Sequence, residues 1–242
     1  MTTKININGD IQEEGFISIL DHGFLFGDSV YEVICTNNGK PCFLEEHLER
    51  LYASASAIAL NIPCNHKWIK ENINSTLMAA GNSDSYIRVI ITRGSGELEI
   101  DPSTCVKPNI IIIVKKIPVI ADDSYEKGIS VSLVSIKRNS RDSLNPAVKT
   151  GNYLNNILAK MEAQRMGAED AIMVNPWGHL TEATTSNIFF VKNGCINTPE
   201  RKCGILSGIT REKIIQLAHE NGIGLVEGKW LGEEIIKADE IF

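Results

Sequence analysis

Long apolar runs are missing from this chain of 242 residues. The longest unbroken aliphatic stretch, Ile110 to Val114, falls far short of a bilayer span. Met1-Thr2-Thr3-Lys4-Ile5-Asn6 has none of the apolar centre of a secretory leader. An excess of positive charge is missing too. The formal net charge of −6 disfavours nucleic acid and anionic membrane as partners, while a local basic site can still take small anionic substrates. Six cysteines, at 35, 42, 64, 105, 195 and 203, form no C-x-x-C pair, so neither a zinc site nor a disulfide framework is indicated. The five histidines (22, 47, 66, 179 and 219) show no metal or triad spacing and read as structural. No internal repeat or low-complexity segment is present. What remains is a cytoplasmic protein with reduced thiols, no metal and small-molecule partners.

With 43% apolar and 22% charged residues, the composition is that of a folded globular protein. Its length suits one large domain or two small ones. Lys4 to Ile7, Glu14 to Ile17 and Val30 to Thr36 read as short strands, with Asn37-Asn38-Gly39-Lys40 as a hairpin turn. Apolar residues at helical spacing predict a helix over Leu44 to Leu60 and another over Asn65 to Ala80, stopped at Gly81-Asn82. Tyr86 to Thr92 and Asn109 to Val114 read as strands, and Lys115 to Ser124 as a linker. Further on come a strand over Ile129 to Ser135, a helix from Asn152 to Met166, strands over Ala171 to Val174 and Asn187 to Val191, and a helix from Ile209 to Glu220. Glu240-Ile241-Phe242 begins another strand. Strands and helices without strict alternation predict an α+β fold in two parts.

Four places have residue types suited to chemistry. Lysines are usually solvated surface charges, but Lys149 is the only charged residue between Ser143 and Ala159, and Gly151-Asn152 turns from it into a helix. Such an amine is a candidate Schiff-base nucleophile and proton carrier. Glu182, otherwise a turn acid, opens the small polar run Glu182-Ala183-Thr184-Thr185-Ser186-Asn187. A ligand ring could approach that backbone closely, and a carboxylate facing a pyridinium nitrogen would keep the ring protonated as an electron sink. Leu206-Ser207-Gly208-Ile209-Thr210-Arg211 opens a helix whose N–H groups suit a phosphate, with Arg50 as a possible added charge or an ordinary partner of Glu46. Tyr86 and Arg88 share one face of a strand, where an arginine serves equally well as a carboxylate ligand or half of a structural ion pair.

Together these pieces resemble the class IV, fold-type IV aminotransferases, which work with pyridoxal 5'-phosphate. The resemblance covers the whole sequence. It includes Leu20-Asp21-His22-Gly23-Phe24-Leu25-Phe26-Gly27-Asp28-Ser29-Val30-Tyr31-Glu32, the helix with His47-Leu48-Glu49-Arg50-Leu51, the Lys149 and Glu182 segments, and Gly208-Ile209-Thr210. It implies that Lys149 is the Schiff-base lysine, that Glu182 partners the pyridine nitrogen, and that Tyr153 hydrogen-bonds the phenolic oxygen of the cofactor. Arg50, Ile209 and Thr210 would hold the phosphate, with Asn187, Leu206 and Gly208 completing the cofactor site. It also implies a homodimer and a two-domain α+β fold, with a small α/β domain over residues 1–117 and a larger pseudo-barrel domain over 118–242. Family members continue past the position of Phe242, so the protein is expected to lack the C-terminal end of that fold.

Substrate is read from the pocket. Tyr86-x-Arg88 is similar to the motif of the branched-chain enzymes, and Arg93-Gly94-Ser95-Gly96 lacks the R-x-H pair of the D-amino acid enzymes. Tyr31-Glu32-Val33-Ile34-Cys35 departs from the pattern F-E-G-I-R that the branched-chain enzymes have at this place. The expectation is transamination of L-branched-chain amino acids with 2-oxoglutarate, with Phe26 and Tyr31 lining the pocket and Tyr86 and Arg88 binding substrate. A D-amino acid aminotransferase, an aminodeoxychorismate lyase and a non-catalytic cofactor-binding relative stay open beside it.

Overall fold

A computed structural model describes residues 3–118 and 122–242. The chain divides into two compact units, one of Met1–Ile120 with Val148–Asn152, the other of Ala121–Ala147 with Tyr153–Phe242.

The first unit contains β1 (Lys4–Ile7), β2 (Asp10–Gln12), α1 (His22–Leu25), β3 (Ser29–Asn37), β4 (Lys40–Pro41), α2 (Leu44–Ala57), α3 (His66–Ala80), β5 (Ser85–Thr92) and β6 (Asn109–Lys116). The strands form one antiparallel sheet in the order β2-β1-β6-β5-β3-β4. Period-two alternation sends Val30, Ile34, Ile87, Val89, Ile91, Ile112 and Val114 to one face, where Leu48, Leu51 and Ala55 of α2 and Ile69 and Ile73 of α3 close the core. Tyr31, Val33, Cys35, Tyr86 and Arg88 fall on the opposite face. The predicted hairpin turn is present, with Asn38 and Gly39 both at positive φ as a two-residue turn requires. Asn65 caps α3 by accepting from the Trp68 N–H, and Gly81 ends it.

Three expectations need correction here. Helix α2 stops at Ala57 rather than Leu60 because Ala59 turns left-handed. Arg93 fixes that end by donating to the Ile58 and Ala59 carbonyls, which a helix C-terminus welcomes. Glu14 to Ile17 is not a strand. Both edges of β1 are already paired, by β2 and β6, and the segment passes over the Ile5 and Ile7 side chains at Gly15 instead. Of the expected linker, Lys115 and Lys116 complete β6, residues 122–124 open a helix, and 119–121 lie outside the described residues.

The second unit contains α4 (Asp122–Lys127), β7 (Val131–Leu133), α5 (Leu154–Arg165), β8 (Asp170–Val174), β9 (Leu180–Ala183), β10 (Phe190–Lys192), β11 (Cys195–Pro199), α6 (Ile209–Glu220), β12 (Leu225–Gly228) and β13 (Glu240–Ile241). Its sheets run β12-β11-β10-β13 and β7-β8-β9, with parallel pairs at β11–β12 and β7–β8. Strand β8 is buried on both sides. Ile172 and Val174 pack with Leu180, Ile188 and Phe190, while Ala171 and Met173 meet Ala159 and Ala163 of α5. Those small α5 side chains let helix and strand approach closely. The polar run after Leu180 begins as a strand, and its hydroxyls serve the fold: Thr181 donates to the Met173 carbonyl and Thr184 to Asp170. Asn187 turns away from the ladder, so β10 begins at Phe190 rather than Asn187.

Candidate active site

In the first unit the segment around Lys149 is held like a short extra strand against the start of β3. The Tyr31 N–H donates to the Lys149 carbonyl at 3.0 Å, the Gly151 N–H donates to the Ser29 carbonyl at 2.8 Å, and Thr150 bridges Val30. A β-carbon at Gly151 would lie 2.3 Å from the Ser29 hydroxyl, so a larger residue here would have to displace that side chain. The Lys149 N–H donates to Ser54 Oγ on α2 at 3.2 Å. This backbone clamp leaves the lysine side chain over Tyr31, with Nζ 4.8 Å from the ring centroid. Arg88 comes to the same ring, its Cζ at 4.1 Å. Tyr86 is one alternation further along β5, opposite Cys35 and near Lys115 Nζ. Phe26 packs edge-on against His22 instead.

On the other face of β3, Glu32 is fully buried. Its Oε1 accepts from Arg50 Nε at 2.6 Å, and its Oε2 accepts from Arg50 Nη2 and bonds His47 Nδ1, both at 2.7 Å. His47, Arg50 and Ser54 lie three and four residues apart, so α2 presents them on one side. Burial alone would push the Glu32 carboxyl up. The hydrogen bonds from Arg50 and His47 and the positive charges of Arg50 and Lys149 outweigh it and hold the group below the ordinary carboxyl value. Arg50, expected at a phosphate, is thus anchored through two of its nitrogens before any ligand arrives. Glu32 and Ser54 carried no local signal of this role, and His47 shows its partner only in three dimensions.

In the second unit Glu182 is held just as tightly. Arg138 Nε donates to its Oε1 at 2.9 Å, and the Leu206 N–H and Asn187 Nδ2 donate to its Oε2 at 2.9 and 3.4 Å. Arg138 is 8% exposed and also donates to Asn155 Oδ1. Sequence reasoning missed Arg138, which lies 44 residues before its partner with no pattern linking the two. Asn187 also donates to the Leu206 carbonyl at 2.9 Å. A β-carbon at Gly208 would fall 1.9 Å from Asn187 Oδ1, so a larger residue there would displace the amide that bonds Leu206 and Glu182. Helix α6 starts at Ile209 with no side-chain cap, and Thr210 in its first turn is exposed. Tyr153 precedes α5 as its N-terminal flanking residue.

Known proteins share both sequence and fold with this one. The family model for amino-transferase class IV matches residues 29–242, and the chain belongs to that family. It is 41% identical over 241 residues to a Methanocaldococcus jannaschii protein assigned as a branched-chain-amino-acid aminotransferase, covering 99% of this chain and 83% of the relative. It is 31% identical to the D-alanine aminotransferase of Bacillus licheniformis, again over 99% of this chain and 83% of the relative. The branched-chain amino acid aminotransferase of Escherichia coli matches in structure with a TM-score of 0.94 at 28% identity, covering 99% of this chain and 81% of that one. The fold is therefore fold-type IV, the protein is a class IV aminotransferase, and the cofactor of its family is pyridoxal 5'-phosphate. Among the described residues no helix is long and apolar enough to cross a membrane.

Two outcomes follow for stability. Replacing Arg138 by Met leaves a buried carboxylate without its counter-charge, which costs on the order of 3–5 kcal/mol. Urea denaturation should show a loss of that size, partly recovered when Glu182→Gln is added, and an Arg138→Met variant as stable as the parent would contradict the pairing. Glu32, held below its ordinary value of 4.5, contributes stability that is present above that value and lost as pH falls through its lower native value. The gap in melting temperature between the parent and Glu32→Gln should therefore be widest near neutrality and close in acid. A gap independent of pH would show that the carboxylate charge is not what matters.

Proposed function

We infer that this enzyme transfers amino groups from L-branched-chain amino acids to 2-oxoglutarate, with Lys149 as the covalent attachment point of the cofactor. The observation that carries this reading is the clamp on Lys149, which fixes the backbone of one isolated amine through hydrogen bonds to β3 and α2. The residues present fit pyridoxal phosphate on two counts. Glu182 has both oxygens held, one of them by a guanidinium, as a carboxylate facing a protonated ring nitrogen needs. The first turn of α6 has no side-chain cap, leaving it suited to a phosphate.

When bound, pyridoxal phosphate supplies an electron sink for the pair left behind as the substrate α-proton departs. Lys149 Nζ takes that proton from the substrate Cα and later returns one. Glu182, with Arg138 behind it, faces the ring nitrogen, while Tyr153 donates to the phenolic oxygen. Arg50, Ile209 and Thr210 hold the phosphate, and Asn187, Leu206 and Gly208 keep that loop in place. Arg88, with Tyr86 beside it, takes the substrate carboxylate, and Phe26 and Tyr31 line the pocket for the side chain. The protein acts as a cytoplasmic homodimer in this reading. Its six free thiols suit a reducing compartment, and Phe16, Ile19, Leu98, Ile100 and Val106 offer exposed apolar surface for a second copy.

A second reading has its own support. The 31% identity to a D-alanine aminotransferase favours a D-specific pocket, and Cys35 removes a positive charge that the branched-chain pattern would supply. An amino-donor screen with 2-oxoglutarate decides between them. L-leucine, L-isoleucine and L-valine should all serve, because an aliphatic pocket separates one methylene by only about 1–3 kcal/mol. D-alanine as the better donor with L-leucine inert would replace the branched-chain reading by the D-specific one.

A further inference from the structure

We propose that the Tyr31 ring is a shared cation platform that positions Lys149 and Arg88 relative to each other, making Tyr31 a positioning residue as well as a wall of the pocket. This rests on the roles given above to Lys149 and Arg88.

Tyr31 is 5% exposed, near the start of β3. Arg88 Cζ stands 4.1 Å and Lys149 Nζ 4.8 Å from the centre of its ring, both within the range in which a cation is attracted by an aromatic face. Neither placement is an accident of a long side chain. Arg88 is paired with Val33 on the neighbouring strand, which makes it a same-face diagonal neighbour of Tyr31. Lys149 is bonded to Tyr31 through the backbone itself. The ladder thus fixes both backbones, and the ring restrains what freedom the two long side chains retain.

The charges around them strengthen the case. The nearby carboxylate, Glu32, points to the opposite face of the strand and is occupied by Arg50 and His47. Among the described residues neither Lys149 nor Arg88 forms a side-chain ion pair or hydrogen bond; the Tyr31 ring lies against both, and Lys149 also feels the buried Glu32 charge at longer range. Two like charges in one small region repel, and the ring quadrupole offers an attraction common to both. A device of this kind keeps the carboxylate-binding guanidinium in place while the amine engages or is displaced. The attraction belongs to the ring rather than the hydroxyl.

The test uses the whole 242-residue protein, isotopically labelled at lysine and arginine, with signals assigned from Lys149→Ala and Arg88→Lys spectra. Ring-current shifts should move the side-chain resonances of Lys149 and Arg88 upfield in the parent. Tyr31→Phe should keep both shifts and Tyr31→Leu should abolish both. In kinetics, Tyr31→Leu should raise KM and lower kcat together, with a fall in kcat/KM of about tenfold or more, and Tyr31→Phe should recover most of that loss. If Tyr31 only lines the pocket, Tyr31→Leu would re-rank amino donors while leaving the Lys149 and Arg88 shifts intact, and the platform would be overturned. Shifts present in a protein that transfers no amino group would uphold the platform and sink the functional reading. Transamination without the shifts would do the reverse.

Discussion

A carboxylate with no exposed surface stands at the centre of the first unit. Glu32 could not remain charged there alone, because desolvating an isolated carboxylate is far costlier than a domain can bear. Arg50 and His47 make it tenable, and in doing so they fix the rotation of α2 against β3. That rotation brings Ser54 to the Lys149 N–H. The lysine segment then completes its short pairing with β3. Remove the carboxylate and the helix face, the arginine and the lysine clamp all lose their common reference.

The second unit solves a similar problem in a different way. Arg138 and Glu182 are both nearly buried, and their pairing is completed by a backbone N–H and an amide rather than by a second cation. Such a pair adds little net stability over apolar residues of the same shape. Its value lies in holding a negative charge at a defined place. Each unit therefore arrives with its ionic group already satisfied. Preorganisation of this sort means that little rearrangement is required when chemistry begins.

Much of this was legible in the residues, because the signals were local. The turn Asn38-Gly39, the cap at Asn65, the stop at Gly81 and the span of α6 from Ile209 to Glu220 each follow from backbone preferences of a few adjacent residues. The isolated lysine, the lone glutamate and the helix opening at Gly208 were visible for the same reason, and the family resemblance joined them. What escaped depends on contacts distant in sequence. Arg138 is one arginine among many until the fold sets it beside Glu182. Nothing within α2 foretold that Arg93, from beyond the end of β5, would bind its last carbonyls. Glu14 to Ile17 has strand-like residues, but the strand it crosses, β1, is already paired on both sides by β2 and β6. The Lys149 segment, which in sequence reads as the approach to α5, is bound to the first unit because a strand there had room beside it.

The central claim is that Lys149 Nζ is the cofactor's point of attachment, and one measurement reaches it directly. The protein is incubated with pyridoxal 5'-phosphate, reduced with borohydride, digested and mapped by mass spectrometry. A stable phosphopyridoxyl adduct should appear on the peptide containing Lys149, and the visible absorbance that borohydride removes should be missing from Lys149→Ala. An adduct located on another lysine, or undiminished borohydride-sensitive absorbance in Lys149→Ala, would contradict the account.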